Sequence, residues 1–151
     1  MLTAPVTARG EAETESVAER LASELGPDDV VYLDGDLGAG KTTFARGLAR
    51  GLGARARDVA SPTFALINEY AGDSGAIVLR HVDLYRIADA RRDLEGLGLP
   101  DSVAGAPVCI EWPRNAIRGL LPPTVEVRIE TDPGGASRRI TVARAPLPRT
   151  R

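Results

Sequence analysis

Val30-Val31-Tyr32-Leu33-Asp34-Gly35-Asp36-Leu37-Gly38-Ala39-Gly40-Lys41-Thr42-Thr43-Phe44 is the stretch that decides the fold. The unbroken apolar run Val30 to Leu33 has the character of a strand buried on both faces. Gly35 to Gly40 is a glycine-rich turn. From Lys41 to about Leu52 a helix is predicted, with Phe44, Leu48 and Leu52 on one stripe. Residues 35–42 fill every fixed position of G-x-x-x-x-G-K-[ST], and they do so between a strand and a helix, the context that gives the pattern meaning.

The spacing has a chemical reason. Glycines let the backbone curl so that consecutive N–H groups point inward at phosphate oxygens. The helix that opens at the end of the turn adds the positive end of its dipole. Lys41 supplies a mobile charge for the outer phosphates, and the Thr42 hydroxyl can ligate Mg²⁺. Of nineteen Lys and Arg in the chain, Lys41 is the only lysine, and it stands where the pattern asks for one.

Outward from this unit, Val17, Leu21 and Leu25 recur every four residues and predict a helix over 14–25, capped by Thr14 or Ser16. Ala65 to Tyr70 and Ala76 to Val82 read as a strand pair around the turn at 71–75. Val108-Cys109-Ile110 is a short apolar strand. Thr124 to Glu130 and Arg138 to Ala143 alternate about Asp132-Pro133-Gly134-Gly135, a second hairpin. Residues 89–98 read as helical or irregular. The expected fold is a single α/β domain: a mixed central sheet flanked by helices, with hairpins extending it.

Composition bounds the function. The chain has 151 residues, 43% apolar and 26% charged, one ordinary globular domain. Its formal net charge of −2 does not suit a glove for a long polyanion. A lone cysteine, Cys109, excludes an internal disulfide and suits a reducing compartment. No apolar run approaches the roughly 18 residues that span a bilayer. The first ten residues do not read as a signal peptide, so a cytoplasmic location is expected.

A triphosphate with Mg²⁺ wants a carboxylate at the end of a neighbouring strand and a group that orients water. Asp83 follows one apolar run and Glu111 another, and strand ends converge on the phosphate turn in such sheets. Either could reach the metal. Asp83 could equally cap the turn before Leu84-Tyr85-Arg86, and Glu111 could form an edge salt bridge. His81, the one histidine, reads as a packed, hydrogen-bonded side chain, and Cys109 as a small core residue. Trp112 could stack on a base or a partner, or simply pack. Arg86, Arg91 and Arg92 form a basic cluster that suits nucleic acid, a partner, phosphates or a solvated helix face.

With these residues in place, the chain resembles a known family. GDLGAGKTTFARGLARGLG at 35–53, SPTFALINEY at 61–70, HVDLYRI at 81–87 and IEWP at 110–113 are similar to the TsaE (formerly YjeE) family, from about Thr14 to Arg139. That is the bacterial P-loop ATPase family serving threonylcarbamoyladenosine modification of tRNA. The resemblance implies an ATPase domain, over 1–143, and the tail 144–151 reads as loose from its own Pro and Arg content. It implies binding of ATP and Mg²⁺, and a complex with TsaB and TsaD. There the protein would support TsaD, which modifies adenosine 37, without being the transferase, and its own turnover would be slow without partners.

By position, the resemblance implies that Gly38 to Thr43 bind the phosphates, with Gly35, Asp36 and Leu37 completing the turn. Thr42 with Glu111 would hold Mg²⁺, and Asp83 would stand near the γ-phosphate. Ser61, Pro62 and Thr63 match the family's nucleotide-sensing switch, and Trp112 matches the Trp after its metal-binding Glu. Glu11 or Thr14 is assigned to the adenine pocket. The family's Gly-Arg pair near the carboxyl end falls at Gly135, followed here by Ala136, with Arg138 and Arg139 further on.

Two other nucleotide-binding classes share the phosphate turn. A regulatory GTPase reads guanine with Asn-Lys-x-Asp, which a chain with no second lysine cannot spell, and there is no glutamine to position water. A small-molecule P-loop kinase needs an arginine-bearing lid, for which Arg86, Arg91 and Arg92 could serve, and an acceptor pocket, which the sequence does not display. A third possibility is a module in which ATP only shapes a docking surface.

Overall fold

The structure is a computed structural model that describes residues 4–36, 38–64, 67–85, 92, 95–96, 98–113 and 115–144. Its centre is an eight-stranded sheet. In chain order the elements are β1 (Val6–Ala8), α1 (Glu11–Ala22), β2 (Val30–Gly35), α2 (Lys41–Gly51) and β3 (Ala54–Phe64). Then come β4 (Ile67–Gly72), β5 (Ile77–Asp83), a 3₁₀ turn at Asp101–Val103 and β6 (Val108–Glu111). The chain continues with α3 (Asn115–Leu120), β7 (Val125–Thr131) and β8 (Arg138–Arg144).

The strands lie in the order β1-β8-β7-β2-β6-β5-β4-β3. β7, β2, β6 and β5 run parallel, and antiparallel partners extend both sides. The apolar run of β2 sits in the middle, as its composition demands. Val31 and Leu33 face the core beneath α1 and α2, while Val30 and Tyr32 face the opposite core with Ile117 and Leu121. Burial holds the Tyr32 phenol up, to about 12, and its hydroxyl donates to the Leu121 carbonyl at 2.7 Å. Among the described residues no helix is long and apolar enough to cross a membrane.

α1 and α2 press together along a seam of small residues. A Cβ on Gly47 would come 2.7 Å from the Glu15 carbonyl, and one on Gly51 would meet the Ala22 Cβ at 2.7 Å. Glycine at these two positions, four apart on one helical face, lets the helix backbones approach closely.

Several boundaries differ from the sequence expectation. α1 begins three residues before Thr14, with Glu11 and Glu13 in its first turn, where carboxylates suit the dipole. The Arg9 amide donates to Glu13 Oε2 at 2.7 Å, so Thr14 is a buried helical residue and not the cap; Ser16 donates to the Ala12 carbonyl. Leu25 lies beyond the helix yet still packs on the core. Arg144, assigned to the tail, closes β8 opposite Val125, and its guanidinium donates to Asp29 Oδ1 at 3.1 Å. Residues 145–151 lie outside the described residues. β1, β3 and α3 had no counterpart in the sequence reading.

Candidate functional site

β2 ends at Gly35 in the middle of the sheet, and the chain turns back into α2 within five residues. Gly35 is sterically required: a Cβ there would come 2.5 Å from the Ile129 carbonyl of β7. Gly38 and Gly40 take φ of +80° and +106°, conformations that L side chains resist. Gly40 is the left-handed N-cap of α2, and no side chain caps that end. The first-turn N–H groups therefore face the turn as donors, which suits an anion.

Lys41 opens α2 with only 5% of its surface exposed. Its ammonium donates to the Gly35 carbonyl, and to that of Asp36 at 3.3 Å. The same Nζ stands 3.3 Å from the centroid of the Trp112 ring. Burial pulls the Lys41 pKa down, against the opposing pull of Glu111, Asp34, Asp36 and Asp83. Trp112 holds its place with φ +58°, rare for a bulky residue, and its ring packs on Tyr85 at 4.9 Å between centroids.

The two carboxylates from the sequence reading come together. Asp83 and Glu111 are register partners at the ends of the parallel strands β5 and β6, beside β2. Glu111 is buried at 3% exposure, and its Oε1 lies 3.5 Å from Thr42 Oγ1, too long for a strong hydrogen bond. Its other oxygen, Oε2, is 2.7 Å from His81 Nε2, so its partner is a histidine inside the sheet rather than an edge cation. Asp83 Oδ1 accepts from the Tyr85 amide at 2.9 Å, so it does cap the turn while standing at the site.

Beside the turn is a cavity of about 160 Å³ lined by Glu11, Thr14, Ala39, Thr43, Gly135 and Arg138, with Gly10 and Ala136. Gly135, in the β7–β8 hairpin, thus stands next to the glycine turn. Arg138 reaches the turn itself: its Nε donates to the Ala39 carbonyl at 3.1 Å, with an Nη 3.5 Å from the Gly38 carbonyl. This brace was missed as a contact, because strand alternation does not reveal which loop a hairpin arginine will meet.

Ser61, Pro62 and Thr63 lie in the backbone of β3, at the edge of the sheet where a proline is tolerated. Their side chains, like the whole of Leu37 and Arg86, lie outside the described residues. Cys109 is fully buried, and burial pushes its thiol pKa well up, consistent with a core role. Among the described residues no three His, Cys, Asp or Glu side chains group to hold a metal by themselves. Thr42 and Glu111 fit an ion that takes few protein ligands and completes its shell with phosphate and water, as Mg²⁺ does.

A mixed sheet whose parallel centre carries a strand ending in a glycine turn, followed by a helix opening Lys-Thr, defines a single mixed α/β domain. Residues 8–140 match the family described as "Threonylcarbamoyl adenosine biosynthesis protein TsaE". This chain belongs to the TsaE family. Its relatives include proteins named "tRNA threonylcarbamoyladenosine biosynthesis protein TsaE" from three bacteria. That of Bacillus subtilis is 48% identical over 101 residues, 66% of this chain and 60% of the relative. That of Rickettsia conorii is 38% identical, covering 82% of this chain and 69% of the relative. That of Streptomyces coelicolor is 37% identical, covering 83% and 86%. The crystal structure of Bacillus subtilis YdiB superposes with a TM-score of 0.66 at 30% identity, covering 96% of this chain and 89% of that one.

Proposed function

We propose that this chain is a cytoplasmic, Mg²⁺-dependent ATPase component of tRNA N6-threonylcarbamoyladenosine biosynthesis, a nucleotide-gated coupler for TsaB and TsaD rather than the transferase itself. The observation that carries the reading is the Thr42–Glu111 approach at the mouth of the glycine turn. A hydroxyl and a carboxylate 3.5 Å apart beside a helix N-terminus that no side chain caps make a site for a metal-bound phosphate chain.

The residues divide the work. The N–H groups of Gly38 to Thr43 cradle phosphate oxygens, and Lys41 turns from the Gly35 and Asp36 carbonyls to the outer phosphates. Thr42 and Glu111 hold Mg²⁺, which supplies neutralising charge on the phosphate oxygens. Asp83, at the adjacent strand end, orients the attacking water. The cavity by Thr14, Thr43 and Gly135 receives the adenine or ribose, and the Ala39–Arg138 brace keeps the turn shaped for it. The segment Ser61 to Thr63 follows the nucleotide state and passes it to the partners.

Reconstitution tests this. With TsaB, TsaD, substrate tRNA and ATP, wild type is expected to sustain multiple-turnover modification of adenosine 37 and Lys41→Ala to fail. Equal modification by the two proteins would overturn the coupling. Phosphate transfer to a small acceptor without partners would identify a kinase instead.

A further inference from the structure

We infer that His81 is a positioning residue for Glu111: its imidazole ties down one carboxylate oxygen and thereby aims the other at the cation position beside Thr42. The inference rests on the Mg²⁺–nucleotide reading of the site. His81 lies on β5 in register with Cys109 of β6, two pairs before Asp83 and Glu111. Both side chains are buried, and Nε2 stands 2.7 Å from Oε2. An ionised carboxylate only accepts, so Nε2 carries the hydrogen and donates it.

The two Glu111 oxygens thus have separate partners: Oε2 faces His81 and Oε1 faces Thr42. A free carboxylate would rotate and share its charge between orientations. One held at the back by a buried donor presents a single oxygen forward. Partners of this kind typically contribute about 10–100-fold to metal affinity. A purely structural histidine would act differently, lowering stability whether or not metal is present.

The test separates these roles. ATP affinity of the full chain is measured by calorimetry in EDTA and across a Mg²⁺ titration, with melting in EDTA as the check on folding. His81→Gln places an amide N–H near the Nε2 position, whereas His81→Asn is one methylene short. The expected result is that Asn raises the Mg²⁺ concentration for half-effect roughly tenfold or more. EDTA-state affinity should stay unchanged, and Gln should recover most of the loss. An Asn variant that tracks wild type through the Mg²⁺ titration would overturn the inference while leaving nucleotide binding intact. So would a folded Gln variant as impaired as Asn. Wild type that binds no ATP at all would overturn the functional reading and this inference with it.

Discussion

The Lys41 ammonium rests 3.3 Å from the centre of the Trp112 ring while hydrogen-bonded to carbonyls of its own turn. The cation is thus held on a π-face at the place where the proposed function needs it on phosphate. A cation–π contact of this kind contributes about 0.5–2 kcal/mol, less than a phosphate chain offers, so nucleotide should draw Lys41 away. Trp112 is the only tryptophan, so its emission reports this contact without labelling. Adding ATP with Mg²⁺ is expected to change Trp112 fluorescence saturably, at the midpoint seen by calorimetry. Binding with no change in emission would show that the contact persists.

The α1–α2 seam gives a stability prediction with an internal control. Gly47→Ala would place a methyl 2.7 Å from the Glu15 carbonyl, backbone that cannot yield without moving α1. Overpacking of this kind costs about 1–3 kcal/mol, or about 2–4 °C in Tm per kcal/mol for a chain this size. Gly119→Ala in α3 meets nothing within 4 Å and should raise stability by about 0.4–1 kcal/mol. Thermal melting of both variants checks the pair. A neutral Gly47→Ala would contradict the packing.

Much of this was legible in the sequence for identifiable reasons. β2, the glycine turn and α2 were readable because a doubly buried strand and a glycine-dependent turn constrain nearly every residue between Val30 and Phe44. The β7–β8 hairpin was readable from alternation, Val125, Val127 and Ile129 being buried and Glu126, Arg128 and Glu130 not. β3 escaped because Ala54 to Phe64 carries arginines and Pro62, the composition of an edge strand. β1 is three residues long, too short to show a period, and takes its place from pairing with β8. At the site, residue types were visible but their pairings were not. Nothing in HVDLYR or IEWP says that His81 will meet Glu111, because strand order across β5 and β6 is a property of the fold.

Asp29 ties three parts of the chain together. Its carboxylate accepts from the Gly26 amide at 2.8 Å, the Thr124 hydroxyl at 2.7 Å and the Arg144 guanidinium at 3.1 Å. Burial alone would raise its pKa; the three donors outweigh that and hold it below the ordinary 3.8. A folded pKa below the unfolded one contributes stability that is fully present above the unfolded value and lost as pH falls through the folded one. Asp29→Ala is expected to cost about 1–3 kcal/mol near neutral pH. Urea unfolding of both proteins should show the gap narrowing below pH 3.8. A gap independent of pH would contradict the role of the charge.

Cys109 is fully buried in β6 with its thiol pKa raised, and thiolate is the reactive form. A disulfide reagent should therefore react slowly with native protein and rapidly in denaturant, the native rate following transient opening. Fast native labelling would contradict the placement of β6.

The central claim is that the turn from Gly35 to Thr42 binds the phosphates of ATP. Isothermal titration of ATP with Mg²⁺ into wild type and Lys41→Ala tests it most directly. Removing a charge-assisted partner worth about 1.5–3 kcal/mol should weaken binding roughly ten- to a hundredfold. The prediction is a saturable single-site isotherm for wild type and that loss for the variant. No binding heat in wild type, or equal affinity in the two proteins, would contradict the account.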